Sequence, residues 1–285
     1  MCLFSFSGDF SSRPRQPHSS SNSRDAASLQ LASPRFNYTT MHLEGKTALI
    51  TGGAVRLGRA ITGALVDRGM NLVIHYRSSA DAALALEAEL SGKGVDVALV
   101  QGDLVSQEAC RKVVEEAHTK AGTIEVLVNN AAVFNKNTLM EATEENVMAE
   151  FWPNLFAPMF LTRAFAELAG EGNVINMLDR RITSNDTSCA PYLLSKKGLY
   201  ELTKVAALEL APKIRVNGVA PGVLLPPPGK DEQYLKAHGG YVPLEYPCRP
   251  EDIAAAVVYL LEADCHTGQV LYVDGGKHLL GTEHV

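Results

Sequence analysis

The chain has 285 residues, 46% of them hydrophobic, with 26 Lys and Arg against 32 Asp and Glu for a formal charge of −6. That is enough apolar material for one large core, and the acidic balance argues against a nucleic-acid partner. No apolar run approaches the roughly 18 residues that a membrane-crossing helix needs, so no membrane is expected and the localisation read from sequence is cytoplasmic. The five cysteines, at positions 2, 110, 189, 248 and 265, are scattered and read as reduced thiols rather than a disulfide framework. Histidines with metal-ligand spacing to Cys, Asp or Glu are lacking, so no metal is expected.

The first 40 residues carry ten serines, four arginines and two aspartates, with Pro14, Pro17 and Pro34 interrupting any regular structure. The expectation is a disordered extension. A Ser-rich, acid-poor stretch with Arg13, Arg15, Arg24 and Arg35 suits a transit segment; an over-extended start with Met41 as initiator is the favoured alternative. Residues 41–285 read as one catalytic domain with 22 basic against 30 acidic residues.

From there apolar runs alternate with helical patterns. Strand 47–51 (TALIT) leads through a Gly-rich turn to a helix over 58–69; strand 71–76 (NLVIHY) is followed by the helical stretch DAALALEAELSGKG. Strand VALVQGD, a helix near 107–121, strand EVLVNNA, a helix spanning Asn154 and strand NVINML come next. Then follow a helix beginning near Tyr192, strand IRVNGVA, a helix over 250–262 and strand VLYVD. This order predicts an α/β fold, a Rossmann-like doubly wound parallel sheet with helices on both faces in a single domain.

The motifs sit where such a sheet binds ligands. Thr51-Gly52-Gly53-Ala54-Val55-Arg56-Leu57-Gly58 follows a strand and opens a helix, the context in which Gly52 and Gly58 let backbone N–H groups approach a pyrophosphate. At the end of the second strand, His75-Tyr76-Arg77-Ser78-Ser79 stands where an NAD site places an acid; an arginine and hydroxyls suit a 2′-phosphate, so the predicted cofactor is NADPH. Which of Arg77, Ser78 and Ser79 touches the phosphate stays open. Tyr192 and Lys196 lie one helical turn apart, and a nearby ammonium lowers a phenol's pKa from about 10 toward usable values.

In order, TGGAVRLG, GDL at 102–104, VNNAA at 128–132, Asn154, Tyr192-x-x-x-Lys196, RVNGVAPG, RPEDIA and TGQVLYVDGG resemble the landmarks of the short-chain dehydrogenase/reductase family over about residues 44–278. The resemblance implies that Asp103 and Leu104 contact adenine, and that Asn130 and Ala131 wall the adenosine ribose and nicotinamide side. It further implies that Asn154 completes a proton relay through water and lysine, that Lys196 bonds the nicotinamide ribose, and that the enzyme is a homotetramer. Asn217 and Asp274 are read as structural. Where the family usually has serine, thirteen residues before the tyrosine, this chain has Asp179. A carboxylate cannot donate to a carbonyl oxygen as serine does, but it suits a substrate with N–H donors.

Asp179, Arg56 in the turn where most relatives have glycine, and Phe134 four residues after Asn130 together resemble the pteridine reductases and dihydromonapterin reductases. In that branch the arginine lies near the cofactor phosphates and the pterin, and the phenylalanine stacks on the pterin ring. The implied function is NADPH-dependent reduction of a pterin C=N bond, with Arg56, Phe134, Asp179 and Tyr192 on the substrate and Tyr192, acidified by Lys196 and partnered by Asp179, supplying the proton. Duller readings exist for each: an ion-paired loop aspartate, a core phenylalanine, a surface arginine. The alternative functions are reduction of a 3-oxoacyl thioester or other carbonyl and, third, non-catalytic NADP sensing. Residues 223–247, with Pro226-Pro227-Pro228 and Gly239-Gly240, have the length of a lid over the pocket.

Overall fold

The computed structural model describes residues 42–222, 233 and 240–280. The N-terminal extension over 1–40 and most of the expected lid lie outside the described residues. Seven parallel strands form one sheet in the order β3-β2-β1-β4-β5-β6-β7. They are β1 (Thr47–Thr51), β2 (Asn71–Tyr76), β3 (Val97–Gln101), β4 (Val126–Asn129), β5 (Gly172–Met177), β6 (Ile214–Pro221) and β7 (Val270–Val273). The helices between them are α1 (Arg56–Val66), α2 (Ala80–Leu90), α3 (Gln107–Ala121), α4 (Glu144–Phe151), α5 (Ala157–Ala169), α6 (Ala190–Glu209) and α7 (Pro250–Glu262).

Successive strand residues face opposite ways, and both faces are apolar. Ala48, Ile50, Leu72, Ile74, Val126 and Val128 pack under α1, α2 and α7. Leu49, Val73, Leu127, Val174 and Val216 pack under α3, α5 and α6. Each fully buried Leu, Ile or Val side chain contributes about 1.5–3 kcal/mol, and this two-sided burial is why the strands read as near-continuous apolar runs. The strand order reverses between β1 and β4, which leaves a crevice at the carboxyl ends of those two strands.

That crevice is held by side chains at its base. The Thr51 hydroxyl donates to the Val128 carbonyl (3.3 Å) and accepts from the N–H groups of Asn130 (2.9 Å) and Ala131 (3.0 Å). The Asn130 amide donates in return to the carbonyls of Thr51 (2.9 Å) and Gly52 (3.1 Å). Deeper, Asn129 donates to Asn176 (2.9 Å) and Asn176 to the Thr203 hydroxyl (3.0 Å), a buried ladder that ties β4 and β5 to α6.

Two elements differ from expectation. The first helix begins at Arg56 instead of 58 and ends at Val66 instead of 69. Arg56 opens it at φ +52°, a left-handed conformation that costs a non-glycine residue about 1–2 kcal/mol; at the other end Gly69, at φ +74°, turns the chain while its N–H closes on the Val66 carbonyl at 2.8 Å. The helix spanning Asn154 is also not continuous. Between α4 and α5 it widens into a π-turn, Trp152–Phe156, in which the Ala157 N–H reaches the Trp152 carbonyl. Pro153 has no N–H to donate there, and the bulge turns Asn154 fully inward.

Gly58 is required by the turn itself. A Cβ at this position would lie 2.0 Å from the Gly52 carbonyl oxygen and 2.8 Å from the Asn130 amide, so glycine is demanded by the turn's own packing before any ligand arrives. Gly58→Ala is expected to lower stability by about 1–3 kcal/mol in equilibrium chemical denaturation; wild-type stability would show that the turn can open without cost.

Candidate active site

A cleft of about 770 Å³ lies over the crevice. Gly52, Arg56, Leu57, Gly58, His75, Tyr76, Arg77, Ser78, Ser79, Asp103, Leu104, Asn130 and Ala131 all line it, so the structure brings together every upstream position read as cofactor-binding. Val105, Met148 and Trp152 line it as well and were not anticipated. They carry no motif, and only the tertiary fold brings α4 to the cleft wall.

His75 plays a positioning part within that wall. The side chain is buried at the end of β2, where its Nδ1 accepts from the Gly52 N–H (3.4 Å) and its Nε2–H donates to the Gly102 carbonyl (3.1 Å). It therefore staples the Gly-rich turn to the end of β3. Burial pushes its pKa down from 6.5 to about 4, against smaller opposing effects of the Gly102 carbonyl and Asp103. Arg77 and Ser78 are exposed beyond it, and Ser79 stands at the N-cap position of α2 without a side-chain capping bond.

The remaining predicted residues form a second group beside the cleft, joined to it through Val133. Tyr192 donates its phenol hydrogen to Asp179 Oδ2 at 2.8 Å. Asp179 Oδ1 accepts from the Arg181 N–H (2.8 Å), and the Arg181 guanidinium reaches Asp179 Oδ2 (3.1 Å) and Asp186 Oδ2 (3.2 Å). Asp186 is fixed in turn by the N–H (3.0 Å) and hydroxyl (2.6 Å) of Ser188. The Phe134 ring meets Tyr192 edge to face at 4.7 Å, and the Arg181 guanidinium lies 5.3 Å from its centroid. Asp179 is thus both an ion-paired loop residue and the partner of the tyrosine. Phe134 is 45% exposed and is not core filler. Of the two arginines after Asp179, Arg181 joins this cluster, whereas Arg180 is buried with its Nε lacking a hydrogen-bond partner among the described residues.

One expected role is corrected. Lys196 does not acidify Tyr192: its Nζ donates to the Met177 carbonyl at 2.8 Å, while burial and the neighbouring Asp179 carboxylate hold the Tyr192 phenol well above its usual pKa of 10. Tyr192 therefore keeps its proton at neutral pH and is a donor. The Lys196 pKa falls to about 8 because the side chain is buried, an effect opposed by the carboxylates of Asp179 and Glu150. The Asn154 side chain is held by its own loop and helix. Its side chain accepts from the Val133 N–H (2.9 Å) and donates to the Val133 carbonyl (2.8 Å) and Glu150 Oε2 (3.0 Å). Asn217, bonded to His266 and Gln269, and Asp274, which accepts from Gly276 and His278, are structural as read.

A family model described as enoyl-(acyl carrier protein) reductase matches residues 53–278. The chain belongs to the short-chain dehydrogenase/reductase family. This reductase is 34% identical over 265 residues, 86% of its length, to NADPH-dependent aldehyde reductase 1, chloroplastic, of Arabidopsis thaliana, covering 92% of that protein. It is 32% identical over 268 residues to the glucose and ribitol dehydrogenase of Daucus carota, with 89% and 92% of the two chains covered. Among solved structures it is similar to the FolM alternative dihydrofolate reductase 1 of Brucella canis in complex with NADP, at 31% identity and TM-score 0.76, covering 84% of this chain and 96% of that one. The Brucella suis enzyme, also with NADP, matches at 32% identity and TM-score 0.75, covering 82% and 95%.

The enzyme is an NADPH-dependent oxidoreductase, and its own residues fit that cofactor. The start of α1 offers N–H groups to a pyrophosphate. Arg77, Ser78 and Ser79 line the cleft at the end of β2, where an arginine and hydroxyls would hold a 2′-phosphate that an acid would repel.

The His75 staple gives a pH signature. Between about pH 6.5 and about 4 the unfolded chain takes up a proton at this position while the folded chain does not, so stability falls as pH drops through that window. In His75→Gln the fall in denaturation midpoint between pH 7 and pH 4.5 is expected to be smaller than in wild type. An unchanged slope would exclude His75 as its source.

Proposed function

We propose that this enzyme reduces a C=N bond of a pterin, with hydride delivered to carbon and a proton to nitrogen. NADPH, when bound, supplies the hydride. Asp179 carries the reading: at the position where a hydroxyl would donate to a carbonyl oxygen, a carboxylate faces the reactive tyrosine at 2.8 Å and repels a developing oxyanion. Three of the roughly four acceptor directions of that carboxylate are taken by Tyr192 and Arg181, which leaves Oδ1 able to accept an N–H from a heterocycle. Phe134, half-exposed and packed on Tyr192, offers a flat ring its face. The Tyr192 phenol holds the proton that a reduced ring nitrogen needs. The likeness to the two Brucella enzymes, whose names specify dihydrofolate reduction, supports the same reading.

The competing reading is carbonyl reduction, favoured by the likeness to the Arabidopsis aldehyde reductase. The two separate in NADPH oxidation with a 7,8-dihydropterin or a ketone as sole acceptor. Wild type is expected to turn over the dihydropterin, and Tyr192→Phe to lose at least about 100-fold in kcat with the Kd for NADPH unchanged. Retained turnover in that variant would remove Tyr192 from the chemistry.

Asp179→Ser discriminates between the substrates. It is expected to cost at least about 10-fold more in kcat/KM with the dihydropterin than with a ketone. Equal losses, or a gain confined to the ketone in a protein that never reduced a pterin, would favour the carbonyl reading.

A further inference from the structure

Phe134 sits in a stretch without regular secondary structure, residues 130–138, yet the reading above asks it to hold a substrate ring at a fixed height. The two residues flanking it are clamped, one by each of two side chains a helical turn apart. Val133 is held through both its N–H and its carbonyl by Asn154, at 2.9 and 2.8 Å. Asn135 is held through its N–H and its side-chain amide by Glu150 Oε1, at 2.7 and 2.8 Å. The clamps are themselves joined, because Asn154 Nδ2 also donates to Glu150 Oε2 at 3.0 Å. Glu150 is completely buried on α4, with three donors converging on its two oxygens.

A carboxylate so deeply buried is costly unless it does something that an apolar residue cannot. In this place it anchors the middle of a loop whose ends are held by Thr51, at Asn130 and Ala131, and by the Ala190 N–H, at the Asn137 carbonyl, and Phe134 lies between its two fastenings. We propose that Glu150 is a positioning residue for the substrate: through Asn135 and Asn154 it fixes the segment on either side of Phe134 and so sets the aromatic platform on which a flat ring packs. Its substrate rests on the pterin reading, whereas its geometry does not. Glu150 also faces Lys196 electrostatically, and the test must separate an effect through Phe134 from one through the lysine.

Glu150→Gln in the full-length protein keeps the volume but replaces one acceptor oxygen with an amide that meets donors. Backbone amide exchange over 133–135 is expected to accelerate about 10-fold or more without cofactor, while exchange in α6 stays at the wild-type rate. The KM for a 7,8-dihydropterin is expected to rise about 10-fold with kcat changed by less than about 3-fold and NADPH affinity retained. In a Phe134→Ala background the same substitution should change KM by less than about 2-fold, because its route of action is gone. Unchanged exchange over 133–135, or effects of Glu150→Gln and Phe134→Ala that simply add, would overturn the proposal. Faster exchange in a protein whose wild type reduces no pterin would support the anchor and defeat only the pterin reading. If Glu150→Gln does not fold, Asn135→Ala at the exposed end of the clamp carries the same test, with the same signs and smaller size.

Discussion

The hydroxyl of Thr51 is the point on which the rest of the site depends. As the last residue of β1 it bonds across the reversal of strand order to Val128, Asn130 and Ala131, and so welds the two halves of the sheet where their carboxyl ends diverge. On one side of that weld the chain enters the Gly-rich turn and forms the cofactor cleft. On the other it leaves β4 as the loop that carries Phe134. A single buried hydroxyl thus ties the turn at the cleft to the start of the loop that carries Phe134. A side chain without an acceptor there would take the partner from the Ala131 N–H, at about 1–3 kcal/mol, and leave the Asn130 N–H and the Val128 carbonyl with each other alone.

Around this weld the protein keeps several polar side chains out of water, bonded to one another or to the backbone. His75 is neutral and bonded at both ring nitrogens, the Asn129–Asn176–Thr203 ladder runs beneath the sheet's end, and Glu150 with Asn154 supports the loop above it. Such networks stabilise little in net terms, since each bond replaces one to water. Their value is geometric: a half-satisfied alternative is expensive, so one arrangement prevails. Local strain is concentrated at Arg56, whose left-handed backbone faces the same cleft that its side chain lines.

The proposed chemistry turns on Asp179, which stands where the family usually has serine. The substitution does not act alone. Arg181 and Asp186 brace the carboxylate, and Tyr192 answers it by keeping its own proton. The pair stores a proton at the phenol and an acceptor at the carboxylate, which suits a substrate that presents an N–H and requires protonation at nitrogen.

Much of this was legible without coordinates. Apolar runs of strand length, separated by helical patterns, specify a parallel sheet because only a strand covered on both faces can be apolar throughout. The Gly-rich turn and the fixed spacing of Asp179 to Tyr192 marked candidate cofactor and catalytic positions, and the fold places the first along one cleft and the second in one cluster beside it. Tertiary structure alone decided how the members act. The Lys196 ammonium bonds the Met177 carbonyl on β5 instead of serving Tyr192; the phenol's pKa rises because burial and Asp179 outweigh any cation; Asn154 turns to Val133 because Pro153 forces a π-turn. Glu150 and Arg181 lie in no sequence motif, and only the fold shows their partners. A residue's spacing reports which neighbours it shares an element with, but desolvation and partner choice depend on what the other elements bring to it, and these are quantities of the folded chain.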